Sequence, residues 1–440
     1  DRLFPPRRLW IRPKSEFRTN MSSFEVNKIS LFYTIKKYLD TDIEFEWLVN
    51  LKKFLSEFQW NALQNYMFQI SPPEIIPIHK KDKEYRPIAI YELKDNIIIC
   101  LLAKYIRSKI DHLFLKYSYA FRTAVRDNNV PTHHDAIDDI INYLKIRDKS
   151  HLYASECDIQ KFFDTVNKNI AFKRLIGLND KLVDDKIDIR ALLLTRSYLD
   201  SYSFIYAKKE GESKLRNKGI INWVKEATLM NNYRKDELSN LGIPQGGALS
   251  CIISNIVLHD ADEKIENIND NELFYARYCD DTIIIHPKKH KCEIAFQIYK
   301  KALESNMLFV HEPEEIKEYN NDYYNKYKSK NPYIWSYPKK RKNEIPWINF
   351  LGYQIRYDGI IRVRKNSINK ELKKQKEIVD NVVRYIRTSR RRTNKQILCR
   401  TIFKLTSMSV GKVDSYNIDT KQKTFSRCSG FSLLNKPPHS

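Results

Sequence analysis

Two adjacent aspartates, Asp280 and Asp281, stand between two segments that have the alternation and β-branching typical of strands. Neighbouring carboxylates repel each other, so a turn that holds both gains no stability from them. A divalent cation cancels that repulsion, and hard carboxylate oxygens suit magnesium. Because aspartate also tolerates turn conformations, a polar hairpin tip without a ligand is the plain alternative.

A third carboxylate, Asp158, ends another predicted strand over residues 152–158. A lone aspartate at a strand end is usually a cap or a turn former. A metal shared with Asp280 and Asp281, however, needs a carboxylate from a neighbouring strand. The pattern therefore predicts one site built where these strands end.

A glycine-rich turn precedes a predicted helix over residues 249–265. Only ten glycines occur in the chain, and three of them lie within 242–247. This local backbone freedom predicts a close approach of backbone to a ligand, and a glycine-rich turn before a helix suits a phosphate or nucleotide. An ordinary loop before a core helix is the alternative.

A predicted hairpin over residues 75–90 has a strongly cationic tip at 80–83. Lys80 and Arg86 could hold a triphosphate, the arginine through its planar fork and the lysine as a point charge. A solvated lysine turn is the alternative.

The composition favours a nucleic-acid partner. The 440 residues include 77 Lys and Arg against 54 Asp and Glu, a formal net charge of +23. A membrane surface ranks second, and no apolar run reaches membrane-spanning length. The seven cysteines form no CxxC pair and are interpreted as reduced thiols of a cytosolic protein. His133 and His134 are interpreted as a surface pair rather than metal ligands.

The remaining pattern is mainly helical, with one extended region in the C-terminal third. A helical segment is expected over 24–70, and helices over 93–115, 133–146 and 291–308. A helical stretch with a loop near 208–219 is expected over 177–240, and a polar loop that is mobile or faces nucleic acid is expected over 317–345. A hairpin is expected over 349–364, with its turn at Asp358-Gly359. A basic helix is expected from Ser367, followed by a further helix that the capping box Thr393 to Gln396 opens.

With Asp158, the turn 244–246 and the segment Tyr278-Cys279-Asp280-Asp281 in that order, the chain resembles a reverse transcriptase. The resemblance covers about residues 75–365 and seven segments in the family's order. It is closest to bacterial enzymes of the group II intron, retron and defence-associated branches. No nuclease domain is seen after the basic C-terminal helices, so the defence-associated branch, and within it the type 2 group, is the closest by elimination.

The resemblance implies a role for each matched residue. Asp158, Asp280 and Asp281 match the metal-binding aspartates, and the Ile159 carbonyl oxygen completes the metal set. Phe163 matches the bulky gate that excludes a ribose 2′-hydroxyl. The other matches are the nucleotide-binding residues Lys80, Arg86, Gln245 and Gly246, and the template or primer contacts Arg122, Phe350, Leu351, Gly352 and Tyr353.

The implied fold class is α+β: a right-hand polymerase with fingers, a palm of antiparallel sheet plus helices, and a short helical thumb. A lysine that the family carries between its aspartate turn and its primer-grip hairpin has no clean match here, and Lys317 is the candidate. The expected divisions are 1–70 for a helical N-terminal extension, 71–150 for fingers, 151–176 for palm, 177–240 for an insertion, 241–364 for palm with the primer-grip hairpin, and 365–440 for a basic thumb and tail.

The implied activity is RNA-directed DNA synthesis by two-metal nucleotidyl transfer, with two Mg²⁺ ions that Mn²⁺ could replace. The expected partners are dNTPs, a dedicated non-coding RNA template and the cDNA product, in the cytoplasm and without a membrane, with a homo-oligomer left open. The expected role is anti-phage defence. Two alternatives stay open: a template-independent or protein-primed deoxynucleotidyl transferase of the abortive-infection type, and an RNA-binding intron-splicing factor. RNA synthesis is disfavoured by Phe163.

Overall fold

The structure, a computed structural model, describes residues 4, 10–11, 23–41, 45–64, 68–123, 130–146, 151–315, 328–336, 344–388, 397–398 and 401–402. The chain divides into two compact units. One comprises residues 67–361 and carries every predicted site residue, and the other combines 1–66 with 362–440. The predicted α+β class is confirmed.

The larger unit opens with an antiparallel hairpin of strands β1 (Glu74–Lys81) and β2 (Glu84–Ile90), which confirms the hairpin predicted over 75–90. Asp82 in its turn has a φ of 48°, a left-handed conformation that a short polar side chain tolerates. Ile78 pairs with Arg86, so the basic residues lie near the tip.

A six-stranded sheet forms the centre of the larger unit, with the order β4-β5-β3-β7-β6 and β8 paired to β7. The pairs β4·β5, β5·β3 and β3·β7 are antiparallel, whereas β6 and β8 run parallel to β7. The strands are β3 (Leu152–Cys157), β4 (Phe274–Tyr278), β5 (Asp281–His286), β6 (Pro313–Glu314), β7 (Ser329–Trp335) and β8 (Glu344–Ile345).

Strand β7 corrects part of the expectation of a polar loop over 317–345, of which residues 317–327 and 337–343 lie outside the described residues. It lies beside β3 in the sheet, and Trp335 is 1% exposed. The segment appears polar in sequence because Lys330 forms a buried ion pair with Glu156. Pro332 is tolerated because the ladder shifts register there, and a bulge does not need the missing N–H.

The helices of the larger unit pack around α10 (Ala248–Glu266), most of whose residues are buried. It lies against α3, α6 and α11, so it forms the centre of the main apolar core. The loop expected near 208–219 begins later, because α8 continues to Leu215 and buries Ala207 and Leu215. The helices are α3 (Leu93–Ile110), α4 (His133–Ile146), α5 (Phe162–Thr165), α6 (Lys168–Asp180), α7 (Ile189–Asp200), α8 (Phe204–Leu215), α9 (Glu226–Met230), α10 and α11 (Lys289–Ser305), with 3-10 turns at Asp111–Leu113 and Lys235–Asn240.

The hairpin expected over 349–364 is a three-stranded meander of β9 (Trp347–Phe350), β10 (Tyr353–Arg356) and β11 (Ile361–Val363). It has a first turn that the sequence analysis did not predict. Leu351 and Gly352 have φ values of 49° and 87°, as both central residues of a type I′ turn require. Asp358-Gly359 forms the second turn.

The smaller unit contains α1 (Ser23–Leu39) and α2 (Glu46–Gln64), which fall in the predicted helical segment, and the basic helix α12 (Lys365–Thr388). Lys317 and the capping box from Thr393 to Gln396 lie outside the described residues. Across the described ranges, no helix has the length and apolar character that a membrane span requires.

Candidate active site

The register of the central sheet brings the three predicted aspartates to one end of it. Cys157, the last residue of β3, pairs with Thr282, and Asp281 is the first residue of β5. Asp158 therefore leaves β3 beside the tight turn that carries Asp280. We refer to this end of the sheet, with Asp158, Asp280 and Asp281, as the aspartate end.

The surroundings of Asp158 disfavour its charged form. Burial raises the pKa of Asp158 above its usual value, and the nearby charge of Asp280 raises it further. The positive charges of Lys328 and His311 act in the opposite direction without cancelling the effect. A bound cation would relieve both the burial penalty and the repulsion.

Neighbours that the sequence analysis missed fix the position of Asp158. Its amide donates to Ser329 Oγ at 2.9 Å, and the amide of His311 donates to the Asp158 carbonyl at 3.0 Å. His311 Nε2 lies 3.5 Å from Asp158 Oδ2. No sequence signal marks these residues, because β7 and the segment after α11 meet β3 only in the folded chain.

The turn between β4 and β5 is strained, and a buried arginine holds it. Cys279 has a φ of 58°, which is unfavourable for a side chain that cannot bond locally. The Arg277 guanidinium, fully buried, donates to the Cys279 carbonyl at 3.1 Å and forms an ion pair of 2.6 Å with Asp262 of α10. Its other donors reach Asn255 and Ser118. The sequence analysis missed this support of the aspartate turn.

The predicted gate and the glycine-rich turn are bonded to each other. The amide of Ile243 donates to the Phe163 carbonyl at 2.8 Å, and that of Gly242 donates to the Val166 carbonyl at 2.9 Å. Gln245 Nε2 donates to Asp164 Oδ1 at 2.6 Å. The segments that carry Phe163 and Gln245, far apart in the sequence, are therefore hydrogen-bonded to each other.

The glycines of this turn serve two purposes. Gly242 has a φ of 100°, and a Cβ there would lie 2.6 Å from the Phe204 Cβ. A glycine is therefore needed at this position because the backbone packs closely against Phe204, not against a ligand. Gly246 has a φ of 82° and no atom within 4 Å of a built Cβ. Only Gly246 therefore fits the prediction of an open backbone position beside a ligand.

The basic hairpin tip is partly neutralised from within. Lys80 Nζ lies 3.1 Å from Glu84 Oε1, and Lys161, just before α5, lies 2.9 Å from the same oxygen. Burial opposes ionisation of Glu84, but the bonds from Lys161 and Lys80 outweigh it and lower its pKa to about 2. Lys161 and Lys80 are thus linked through the shared carboxylate of Glu84. Arg86, on the same hairpin, is exposed.

Arg122, predicted to contact template or primer, is buried, with 4% of its surface exposed. Its guanidinium bonds to the Asp111 carboxylate at 3.1 Å and to four backbone carbonyls. All of its donors are used inside the protein, so it holds the loop after α3 together.

The predicted primer-grip segment packs on the start of α4. Tyr353 is 1% exposed, and its hydroxyl lies 3.0 Å from His134 Nε2. The His133 ring lies 6.2 Å from the Tyr353 ring and 6.3 Å from the Tyr278 ring. The two histidines are therefore not an isolated surface pair, and they connect this hairpin to the aspartate turn.

A second acidic cluster lies at the other end of the β4–β5 hairpin. Ligating atoms of Asp270, Glu272 and His286 lie within 4.8 Å of one another, the one such group in the parts of the chain that the structure covers. His286 Nδ1 accepts the Lys288 amide at 2.8 Å, so its proton sits on Nε2, which faces Asp270 at 3.3 Å. The ring offers no lone pair to a metal.

The aspartate end fits a divalent cation by its chemistry. It offers carboxylate oxygens of Asp158, Asp280 and Asp281, the hard ligands that Mg²⁺ and Mn²⁺ prefer. On either side of Ile159, the Asp158 carbonyl accepts the His311 amide and the Gln160 amide donates to the Phe309 carbonyl. Neither of these backbone bonds uses the Ile159 carbonyl. The oxygens of these three carboxylates do not all lie within 4.8 Å of one another, as the ligating atoms of Asp270, Glu272 and His286 do. A bound cation would therefore draw the three carboxylates closer together.

Sequence comparison finds two matches. The family model described as reverse transcriptase (RNA-dependent DNA polymerase) matches residues 78–313, more than half of the chain. A Saccharomyces cerevisiae protein described as the COX1/OXI3 intron 2 protein is 25% identical over 208 residues, which cover 47% of this chain. The matched region spans 19% of that relative's length.

Among solved structures, the chain is similar to telomerases of two yeasts. A telomerase of Candida albicans in complex with a fragment of telomeric RNA aligns with 14% identity and a TM-score of 0.38, over 81% of this chain and 62% of that one. An apo telomerase of Candida tropicalis, truncated of its C-terminal domain, aligns with 15% identity and a TM-score of 0.40, over 78% and 69%.

Proposed function

The chain belongs to the reverse transcriptase family, and from this membership we propose that it is an RNA-directed DNA polymerase that copies an RNA template into cDNA. The observation that carries the proposal is the strand register that sets Asp158 beside Asp280 and Asp281. All three lie inside the matched region of the family.

We assign the metal ligands to Asp158, Asp280 and Asp281, with the Ile159 carbonyl as a fourth oxygen. When bound, two divalent ions activate a primer 3′-hydroxyl and neutralise the charge of the triphosphate. The raised pKa of Asp158 supports this assignment, since perturbed carboxylates collect where charge is to be bound.

The nucleotide is held by residues of the hairpin tip and of α5. Lys80 and Arg86 attract the triphosphate, and Lys161 adds a third cation, because Glu84 joins it to Lys80. Phe163 closes the sugar site against a 2′-hydroxyl. These roles place the cationic hairpin on the phosphate side and the aromatic ring on the sugar side of one substrate.

The template and primer are held near the primer-grip hairpin. Phe350 and Tyr353 are buried, so they shape the hairpin, and the turn at Leu351 and Gly352 is the part available for contact. Arg122 acts from inside by fixing the loop after α3. Lys328, whose charge acts on Asp158, is a second candidate beside Lys317 for the lysine near the aspartates.

The biological setting we propose is anti-phage defence with a dedicated non-coding RNA as template, acting in the cytoplasm. The resemblance to defence-associated enzymes supports it, as does the net charge of +23, which suits binding to RNA phosphates. A second candidate is an RNA-binding factor of intron splicing, which the likeness to a yeast intron protein favours.

Primer extension tests the polymerase proposal. The purified protein is given a DNA primer on an RNA template with dNTPs and Mg²⁺, and the products are sequenced. We expect cDNA complementary to the template, and none from the double variant Asp280→Asn with Asp281→Asn. Products unrelated to the template would favour the untemplated transferase, and RNA binding without synthesis would favour the splicing factor.

A further inference from the structure

We propose that Asp164 is a positioning residue for nucleotide binding: it fixes the Gln245 side-chain amide so that its carbonyl oxygen is turned toward the incoming nucleotide. The inference rests on the proposed function and deepens it, because it adds a residue to the binding of nucleotides at that site.

The contact itself fixes the orientation of the amide. Gln245 Nε2 donates to Asp164 Oδ1 at 2.6 Å, and Asp164 is 3% exposed. An ionised carboxylate can only accept hydrogen bonds, so the amide must present its NH₂ group to it. Oε1 of Gln245 then points away from Asp164 and can accept a hydrogen bond. Its direction is fixed by the bond between Nε2 and Asp164.

The backbone around this contact leaves the amide little freedom. The carbonyl of Phe163, the residue before Asp164, accepts the amide of Ile243, two residues before Gln245, at 2.8 Å. Trp223 Nε1 donates to the Asp164 carbonyl at 3.0 Å. The Asp164 side chain therefore bonds to the glycine-rich turn beside a backbone bond that joins Phe163 to the same turn.

The burial of this carboxylate is not explained by stability. Burial raises the pKa of Asp164 to about 6, although Gln245, Lys161, Arg86 and Lys80 all favour its charged form. One amide bond and three cations thus do not repay the loss of hydration. A buried carboxylate whose charged form is disfavoured, and which bonds to a side chain of the proposed nucleotide site, is typical of a functional position.

A double-mutant cycle on the KM for dNTP tests the proposal in the full-length protein. Asp164→Leu should raise KM about tenfold, as expected when a charge-assisted hydrogen bond is lost, with kcat changed less than about twofold. Gln245→Ala should raise KM to the same extent. The double variant should be no worse than Gln245→Ala, because Asp164 acts only through that amide.

Conservative and control variants separate positioning from folding. Asp164→Asn keeps an acceptor in place and should restore KM to within about threefold of the wild type. Trp223→Phe removes only the bond to the Asp164 backbone and should raise KM less than Asp164→Leu does, because the Gln245 amide keeps its carboxylate partner. Phe163→Ala should admit ribonucleotides, whereas the Asp164 variants should weaken dATP and ATP use alike.

Additive effects in the cycle, or a fall in kcat at constant KM, would overturn the proposal. The melting temperatures of the same four proteins form a second cycle that needs no activity. Non-additive shifts in melting temperature would support the Asp164–Gln245 contact whether or not the wild type incorporates nucleotides. A wild type that incorporates no nucleotide would reject the proposed function and leave the contact standing. Additive melting shifts would reject the contact itself.

Discussion

The β4–β5 hairpin carries carboxylate clusters at both ends, and their electrostatics differ in sign. At the aspartate end, burial and the charge of Asp280 raise the pKa of Asp158. At the other end, which we call the histidine end, a backbone bond from Glu272 lowers the pKa of Asp270, and His286 and Lys291 add to the effect.

The histidine end is complete without a ligand. Asp270 bonds to His286 and lies 3.8 Å from Lys291, and Glu272 lies 3.7 Å from Lys288. The aspartate end lies about 17 Å from the histidine end, as the rise along β5 from Asp281 to His286 gives. There the positive charges near Asp158 do not fully balance the carboxylates. Proximity of acidic groups alone therefore does not identify a metal site, and the proposed site is the end whose carboxylate charges are less balanced.

Activity should separate the two ends most strongly. Asp158→Asn removes a ligand and should lower primer-extension kcat by at least about 10³-fold, because the charge of the transition state loses its metal. Asp270→Asn should leave kcat within about twofold, since it lies outside the site. A comparable loss in both variants would contradict the distinction between the ends.

Divalent ions should stabilise one end only. Saturating Mg²⁺ should raise the unfolding free energy of the wild type by about 1–2 kcal/mol, because the folded state binds the ion and the unfolded state does not. Differential scanning fluorimetry should show this shift in Asp270→Asn and not in Asp158→Asn. A shift that vanishes with Asp270 instead would assign the metal to the histidine end.

Stability without metal should change in opposite directions. Asp270→Asn should lower the melting temperature by about 1–2 °C, as expected for about 1 kcal/mol of lost ion pairing and hydrogen bonding in a chain of this size. Asp158→Asn should raise it slightly, by up to about 1 °C, because a repelling charge is removed, as at other functional sites. Measurements in EDTA check both, and a fall in Asp158→Asn would contradict the repulsion.

The pH dependence should be the smallest and most specific difference. The lowered pKa of Asp270 means that its contribution is present above the unfolded value of about 3.8 and is lost as pH falls through its lower folded value. The raised pKa of Asp158 means that the folded protein is penalised as pH rises above about 3.8. In metal-free buffer, the melting-temperature difference between Asp270→Asn and the wild type should therefore shrink as pH falls below about 3.8. The difference between Asp158→Asn and the wild type should grow as pH rises from about 3.8 to the raised pKa of Asp158.

Much of the local structure follows from sequence period and turn chemistry. The strands around Asp280, the hairpin over 75–90 and the helix over 133–146 were predictable because alternation and helical spacing act over a few residues. Strand β7 was not predictable, since Lys330 is acceptable in a core only beside Glu156. The turn at Leu351 and Gly352 was missed because one glycine inside an apolar run resembles a strand position.

The amino-acid order alone determined the candidate aspartates, the gate residue and the turn with Gln245, because these are marked by residue type and by short-range pattern. Folding decided what surrounds them. His311 and Ser329 beside Asp158, Arg277 beneath the aspartate turn, and Asp164 behind Gln245 come from segments far apart in the chain. The physical reason is that charge balance and burial depend on neighbours in space, and a linear pattern carries no distance between segments.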